Sequence, residues 1–483
     1  MHKIIFSNNI NIFVPNTLKN MTNYILLEQL NWFEEETNFL SKFILKGNNV
    51  IDIGANYGVY TLILSKLIGS KGHIYSFEPC TSTRKFLRKS ITENSFKNVT
   101  IDNRGVSNSN QKSKLSLNKH SEINHVFHDL DDNNAYEEIT LCNLDDCRKF
   151  YEWKNIDFIK IDAEGQESNI LKGGKEFLNE NSPLIQYEVK DKTVFNLNLI
   201  KEFKSIGYDT YRLIPGLDIL APWDDIEHDE YILNLFCCKP DKAKKLEKDK
   251  LLIRKNSLSF DNRKNFDALY DKLISENNFY DFINTNIPYN NFLTPYWKKT
   301  IDFHNEDIQK SIFLYLISHD NKYSHVMRYE SIKYSFRLLS QQCAINSGNA
   351  RLSSLARVSG ELGLRSTQVS SLIQLKEYID EDKNLELSEI FLLPEKYQEQ
   401  LSVSDWNSEI LNWMISNILI TIEKKEYYSS FYAQDKTLGR LYLIKSLGFY
   451  DAEISRRINL IEKKFKNEET VYNPSTYDQS TTS

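Results

Sequence analysis

The sequence has no excess of positive charge, and its few cysteines are not spaced for a metal site. Lys and Arg number 60 against 66 Asp and Glu, so the net charge is −6 and no overall electrostatic attraction favours nucleic acid. The 6 cysteines include no C-x-x-C pair and no Cys/His ligand spacing. This usage is typical of reduced thiols in a cytoplasmic protein.

Long apolar segments are also missing. The first residues, MHKIIFSNNINIFV, hold no sustained apolar run of the kind found in a signal peptide. The stretches at 59–69 and 411–422 are too short or too interrupted to span a bilayer. Apolar residues still make up 41% of the chain, which is enough to build sizeable cores. We therefore expect a folded cytoplasmic protein without a membrane span.

The part of the chain between residues 49 and 240 alternates short β-rich runs with helical patterns. Alternation of this kind predicts an α/β domain with a mostly parallel, doubly wound sheet. The last two runs have no helix between them, so we expect them to form an antiparallel pair at one edge. The predicted strands are NVIDIG (49–54), HIYSFEP (73–79), VTIDN (99–103), IDFIKIDAEG (156–165), PLIQYEV (183–189), YDTYRLI (208–214) and YILNLFCC (231–238).

Other parts of the chain follow different patterns. Residues 1–48 predict a lead-in segment with a helix, and the polar insertion at 103–145 is typical of a loop over the carboxyl end of the sheet. Residues 241–465 are almost wholly helical, with two Leu-Gly repeats that predict helical hairpins. The polar tail at 466–483 predicts disorder. The charged junction at 239–250 predicts modest contacts between the two halves.

The motif VIDIGANYG (50–58) carries the strongest chemical signal. Asp52 ends a strand, and Gly54 and Gly58 bracket a turn that opens a helix, whose N-terminus offers free N–H groups. The turn lacks the G-x-G-x-x-G order of many dinucleotide-binding proteins. The Asp52 carboxylate suits a positively charged ligand, such as a sulfonium that carries an amino group. Glu78, about 20 residues further on at the end of the second strand, suits hydrogen bonding to ribose hydroxyls.

A second group of acidic residues follows the fourth and fifth strands. Asp162, Glu164 and Glu188 are predicted to meet in the crevice at the carboxyl edge of the sheet. One carboxylate could accept a proton from a hydroxyl or orient a substrate. The group could instead bind a divalent cation, or simply fix the turn at Gly165 by bonding to backbone.

Three histidines lie in the polar insertion. His120, His125 and His128 match no zinc spacing, and they fit either a general base over the substrate or an ordinary polar loop.

The motifs in combination resemble FkbM-type methyltransferases over residues 20–240. In order and spacing, the matching segments are WFEEETNFL (32–40), VIDIGANYGVYTL, YSFEP, NVTIDNRGVS (98–107), LDD (144–146), FIKIDAEG (158–165), ILKGG (170–174) and the glutamate of QYEV (186–189). The resemblance implies a class I, Rossmann-like fold with an antiparallel last strand. It also implies S-adenosylmethionine as cofactor and a hydroxyl on a sugar, polyketide or related product as acceptor.

The resemblance also implies roles for single residues. Asp52, Gly54, Asn56 and Gly58 would hold the methionine end and the turn, Glu78 would bind the ribose, and Asn103 would lie near the adenine. The chain departs modestly from the family pattern, with Gly105 where alanine is often found and Ala163 where valine is common.

Three functions remain open at this stage. The first is an O-methyltransferase acting on a small-molecule or glycan hydroxyl. The second is a methyltransferase of nucleic acid or protein, although the fourth strand is followed by Asp-Ala-Glu-Gly rather than by an N/D-P-P-Y/F motif. The third is a scaffold whose helical half binds a protein partner.

Overall fold

The structure covers most of the chain. The computed structural model describes residues 1–6, 9–117, 126–127, 135–191, 194–224, 229, 231–258, 262–276, 279–287, 293, 305–381, 389–395, 406–433 and 435–466. The predictions for His120, His125, His128 and residues 467–483 fall outside the described residues. No helix within these described ranges combines the length and the apolar character needed to cross a bilayer.

The N-terminal segment forms a hairpin and two helices. Strands β1 (His2–Phe6) and β2 (Ile10–Val14) pair antiparallel, and helices α1 (Met21–Gln29) and α2 (Glu36–Phe43) follow. The side chain of Asn20 accepts a hydrogen bond from the N–H of Asn23 and so caps α1.

The remaining strands build a large and a small sheet, together with an isolated hairpin of β12 and β13. In chain order they are β3 (Asn49–Ile53), β4 (His73–Phe77), β5 (Val99–Asp102), β6 (Gly105–Val106), β7 (Lys112–Ser116), β8 (Val126–Phe127), β9 (Tyr136–Cys142), β10 (Ile156–Ile161), β11 (Leu184–Glu188), β12 (Lys190–Asp191), β13 (Val194–Phe195), β14 (Asp209–Ile214), β15 (Ile219–Pro222) and β16 (Asn234–Cys238).

The large sheet has the strand order β15-β14-β16-β11-β10-β3-β4-β5. The five strands from β11 to β5 run parallel, whereas β16, β14 and β15 are antiparallel to their neighbours. The order reverses between β3 and β10, which is the pattern of a doubly wound sheet. The predicted class I fold is therefore confirmed, including the antiparallel pairing of the last two predicted strands. The edge strand β15 is an addition that the sequence pattern does not predict.

Helices cover both faces of this sheet. On one face, Phe39 of α2 and Leu64 of α3 (Val59–Ile68) pack with Val50 of β3, and on the other Phe177 of α7 (Lys175–Asn181) packs with Ile159 of β10. Each strand therefore contributes alternate side chains to two apolar layers. The helices that follow α2 in this half are α3 (Val59–Ile68), α4 (Thr81–Glu93), α5 (Leu144–Tyr151), α6 (Glu167–Lys172), α7 (Lys175–Asn181), α8 (Leu197–Ser205) and α9 (Pro240–Lys248).

The polar insertion is more regular than its composition predicts. Its described part forms a small sheet in the order β6-β9-β7-β8. Alternate side chains, among them Leu115 and Ile139, are buried in an apolar cluster beneath it. A surface-facing strand needs only every second residue to be apolar, so the pattern is easily mistaken for a loop.

The C-terminal half is helical, as predicted. Its described helices are α10 (Asn262–Ser275), α11 (Phe279–Asn286), α12 (Glu306–His319), α13 (His325–Ile345), α14 (Asn349–Glu361), α15 (Arg365–Asp380), α16 (Trp406–Lys425), α17 (Asp435–Leu447) and α18 (Ala452–Phe465). Gly363 and Gly448, which follow α14 and α17, both have positive φ. The two predicted helix–turn–helix pairs are present at these glycines.

The expectation of modest contacts between the halves is wrong. Ile214 and Ile219 of the sheet lie in the same apolar cluster as Leu314 and Leu362 of the helical half. Charge at the junction misleads because α9 is amphipathic: its buried face packs on the sheet, and its charged face meets solvent. At the other side of the molecule, α18 packs against α1 and the N-terminal hairpin.

Candidate active site

A cavity of about 420 Å³ lies at the carboxyl ends of β3, β4, β10 and β11. Open α/β sheets bind ligands at this edge, where the strand order reverses, and the volume is in the range of small-molecule sites. The structure brings most of the predicted site residues to its wall, namely Asp52, Gly54, Asn56, Glu78, Asp162, Glu164 and Glu188. Gly58 and Asn103 are described but do not line it.

The turn after β3 depends on its glycines for packing. Gly54 and Gly58 have φ of 83° and 96°, a region that favours glycine. A Cβ on Gly54 would overlap the backbone carbonyl of Asp162, and one on Gly58 would overlap the Leu87 side chain. A side chain at position 54 would therefore displace the adjacent strand end.

Replacing Gly54 with alanine is expected to destabilise the fold by about 2–4 kcal/mol. The positive φ accounts for about 1–2 kcal/mol, and the overlap with the Asp162 carbonyl supplies the rest. Gly207→Ala is a matched control, because Gly207 also has a positive φ, of 84°, but a Cβ added there would meet no other atom. Denaturant unfolding should show a clearly larger loss in the free energy of unfolding for Gly54→Ala than for Gly207→Ala. Equal losses would mean that the contact with the Asp162 carbonyl does not contribute to the destabilisation.

Glu78 is held by the turn that it faces. One carboxylate oxygen accepts from the N–H of Asn56 at 2.7 Å, and the other accepts from the N–H of Cys80 at 2.8 Å. Burial raises the pKa of Glu78 to about 7, although these two hydrogen bonds oppose the shift. Each oxygen keeps a lone pair for one more donor, which suits a vicinal diol.

A row of buried polar side chains crosses the sheet beneath the cavity. Strand register places Ser76, Asp52, Lys160 and Gln186 side by side on β4, β3, β10 and β11. Thr61 of α3 donates to Asp52 Oδ2 at 2.6 Å, while Oδ1 is buried without a hydrogen-bond partner in the described residues. Burial raises the pKa of Asp52. The sheet therefore places polar side chains at the floor of the cavity, although burying them costs desolvation free energy.

Lys160 is the cation of this row, and the motifs of the sequence do not mark it as a site residue. It is 4% exposed, and its Nζ lies 2.6 Å from Asp162 Oδ2 and 4.6 Å from the ring centroid of Tyr60. Burial lowers its pKa, but the charges of Asp162, Asp52 and Glu34 together raise it above the usual value. Lys160 is thus a buried cation that fixes the position of Asp162.

The three predicted carboxylates come together beside this cation. Each of Asp162, Glu164 and Glu188 offers an oxygen within 4.8 Å of the other two. Burial, and then the charges of Asp162 and Glu164, raise the pKa of Glu188 to about 9. The three carboxylates can exchange a proton with a ligand. Their oxygen atoms are also the kind of ligand that Mg²⁺ or Ca²⁺ binds.

A further carboxylate holds the turn at Gly165. Glu167 Oε1 accepts from the N–H of Ala163 at 3.1 Å and from the N–H of Gly165 at 3.4 Å. In the sequence, Asp162, Glu164 and Glu188 are alternative candidates for fixing this turn. Because Glu167 stabilises the turn, the Asp162 carboxylate is available to the cavity.

Segments distant in sequence form the rest of the wall. Phe33 and Glu34 come from the N-terminal lead-in, and Tyr428 and Tyr432 come from the segment between α16 and α17, named here the 426–433 segment. The insertion contributes Leu115 and Val126. Sequence reasoning places a lid in the insertion, but no local signal marks the tyrosines of the helical half.

Asn103 is exposed at the end of β5. The neighbouring Asp102 is instead engaged, accepting from Arg104 at 2.6 Å and from the hydroxyl of Tyr151 at 2.9 Å. Gly105 and Val106, two and three residues further on, do line the cavity. The segment after β5 therefore reaches the cavity through Gly105 and Val106 and not through Asn103.

The motif resemblance is confirmed by comparison with protein families. Residues 52–210 match the family model of the methyltransferase FkbM domain. Over 58 residues the chain is 36% identical to the protein-L-isoaspartate O-methyltransferase of Methanosarcina mazei. That stretch is 12% of this chain and 24% of the archaeal protein, so the chain spans about a quarter of the length of this curated relative.

Solved structures show distant likeness. The methyltransferase FkbM of Methylobacillus flagellatus is 18% identical, with a TM-score of 0.29 over 40% of this chain and 43% of that one. The fibrillarin of Aeropyrum pernix, solved with natively bound S-adenosyl-L-methionine, is 12% identical, with a TM-score of 0.25 over 46% and 76% of the two chains.

Proposed function

We propose that this chain, whose residues 52–210 form an FkbM methyltransferase domain, transfers a methyl group from S-adenosylmethionine to a hydroxyl of a sugar or surface glycan. The observation that carries the proposal is the placement of Asp162, Glu164 and Glu188 in the wall of the same cavity that Glu78 and the glycine turn line. Methyl transfer to an aliphatic hydroxyl requires a proton acceptor, and these carboxylates supply one.

The residues at the cavity wall fit the cofactor. Both Glu78 oxygens retain an acceptor site for the ribose hydroxyls, and Asp52 Oδ1 is a buried acceptor without a partner in the described residues. Several carboxylates around one cavity favour a ligand with positive charge. When bound, S-adenosylmethionine supplies an electrophilic methyl group on a positively charged sulfur.

The protein residues then have three tasks. Asp162 accepts the hydroxyl proton, Lys160 holds Asp162 in place through their ion pair, and Glu188 orients the hydroxyl. The walls from Phe33 and Tyr428 exclude water from the reacting atoms. Alignment of the acceptor oxygen with the methyl group supplies much of the rate enhancement of such a displacement.

Isotope transfer tests the proposal. Full-length protein is incubated with methyl-labelled S-adenosylmethionine and with glycans, small polyols, RNA and protein fractions from a lysate. We expect alkali-stable label in the glycan or polyol fraction. Label in RNA or protein would contradict the acceptor class, and no transfer to any fraction would contradict the activity.

Glu78→Ala is expected to weaken S-adenosylmethionine binding by roughly 1–3 kcal/mol, the range for hydrogen bonds to a charged group. Because the ionised carboxylate accepts from both hydroxyls, wild-type affinity should also fall as the pH is lowered through about 7. Calorimetry at several pH values measures both effects, and Glu78→Gln should flatten the pH dependence. An unchanged affinity in Glu78→Ala would show that Glu78 does not bind the cofactor.

A further inference from the structure

A second cavity, of about 130 Å³, opens between the α/β half and the helical half. It shares Phe33, Glu34, Leu233 and Tyr428 with the active-site cavity, so the two spaces meet at a common wall. Glu36 and Asn234 line it from the α/β half, and Arg365 and Lys425 line it from the helical half. The second cavity therefore lies directly beside the active-site cavity.

An immobilised aromatic pair forms the shared wall. The rings of Phe33 and Tyr428 lie 4.8 Å apart between centroids. The hydroxyl of Tyr428 donates to the backbone carbonyl of Tyr231 at 2.7 Å, and the Arg365 guanidinium lies 3.8 Å from its ring centroid. These contacts fix both rings, so the apolar surface that they still present to the cavity has little entropy left to lose.

The cations of the second cavity are already engaged. Arg365 donates to the backbone carbonyl of Lys425 at 2.6 Å, and Lys425 pairs with Glu35 at 3.0 Å. Arg212 donates to the backbone carbonyl of Leu362 at 2.6 Å. They are therefore poorly placed to recognise an anionic ligand.

The free acceptor capacity belongs to two glutamates. Glu34 accepts from Tyr60 and, at 3.2 Å, from Asn234, and the Asn234 side chain also hydrogen-bonds Glu36. Neither glutamate forms an ion pair with another described residue, so each keeps part of its acceptor capacity. Burial and the neighbouring Glu34 charge raise the pKa of Glu36 to about 8. These carboxyl groups match a neutral ligand that forms several hydrogen bonds, and they offer no positive charge to a phosphate or carboxylate.

We infer that the second cavity is an acceptor subsite in which Glu34, Glu36 and Tyr428 hold a neutral, hydroxyl-rich ring next to the one that is methylated. The inference rests on the proposed function and narrows its acceptor to a neutral saccharide of at least two rings. It also assigns the helical half a role, since Tyr428 carries the apolar face of the subsite.

Calorimetry on the full chain tests the subsite. S-Adenosylhomocysteine is titrated first, and then maltose, cellobiose and lactose are titrated into the complex, with glucose and glucose 1-phosphate for comparison. We expect at least one disaccharide to bind about tenfold more tightly than glucose, and the phosphate to bind more weakly still. Glu36→Gln and Tyr428→Ala should each weaken disaccharide binding by about tenfold.

Tyr427→Ala is the matched control, because the neighbouring Tyr427 is exposed and lines neither cavity. It should leave disaccharide binding unchanged. If Tyr428→Ala does not fold, Glu36→Gln carries the test. No disaccharide binding to the S-adenosylhomocysteine complex, or binding that Glu36→Gln leaves intact, overturns the subsite alone, whereas failure to bind S-adenosylhomocysteine overturns the proposed function.

Discussion

Asp162→Asn is expected to lower turnover by about 10²–10⁴-fold, the usual contribution of a positioned general base. Asparagine keeps the shape of the side chain, but it cannot accept the hydroxyl proton and it loses the ion pair with Lys160. Single-turnover kinetics with labelled S-adenosylmethionine and the acceptor identified by isotope transfer measures the effect. Cofactor affinity should stay within about tenfold, roughly 1.4 kcal/mol.

Two controls separate the possible roles of this carboxylate group. Glu188→Gln should cost less turnover if Glu188 only orients the acceptor, and a similar amount if it acts with Asp162 as a unit. A chelator added to the wild-type enzyme should change nothing if the group works as a bare base, but it should abolish turnover if the group holds a divalent cation. Near wild-type turnover in Asp162→Asn would place the base elsewhere, with His125 and His128 the next residues to change.

Arg457→Met is expected to destabilise the protein by about 3–5 kcal/mol, because it leaves a buried carboxylate without its partner. Arg457 on α18 is 1% exposed and lies 3.1 Å from Glu28 on α1, which is 0% exposed. The backbone N–H of Ser430 also donates to Glu28 at 3.0 Å, so the pair anchors the 426–433 segment. Denaturant unfolding measures the loss, and S-adenosylhomocysteine titration should show weaker binding because α1 and this segment line the cavity.

The double variant Glu28→Gln with Arg457→Met provides the control for this prediction. Removing the charge on both sides relieves the unpaired carboxylate, so the double variant should be more stable than Arg457→Met alone. Arg457→Met with wild-type stability, or a double variant that loses the sum of both single changes, would show that the ion pair is not what joins the two helices.

Much of the α/β half could be predicted because its strands and their polar ends are local in sequence. Asp52, Glu78 and Asp162 each end a strand, and parallel strands bring their carboxyl ends to one edge. Lys160 and Gln186 carry a similar signal that is easily overlooked. Each lies two residues before a predicted site carboxylate, and side chains two apart on a strand face the same way.

The remaining features arise from contacts between distant parts of the chain. Tyr428 and Arg457 look like ordinary residues of helical segments. Their importance appears only when Tyr428 bonds to Tyr231 and when Arg457 of α18 pairs with Glu28 of α1. The packing role of Gly54 is equally hidden, since its neighbour is a carbonyl more than 100 residues away. Neither periodicity nor motif spacing reports which surfaces meet.

The pairing of α1 with α18 also determines when during synthesis the cavity can be completed. A nascent chain that has just left the ribosome to residue 240 holds the whole parallel sheet, the glycine turn and Glu78, but its cavity has no wall from the helical half. Tyr428 emerges about 190 residues later, a delay of roughly 10–40 s at typical translation rates of about 5–20 residues per second. Throughout that interval Glu28 lacks its partner Arg457, the side of α1 that packs on α18 stays uncovered, and the cavity remains open on this side.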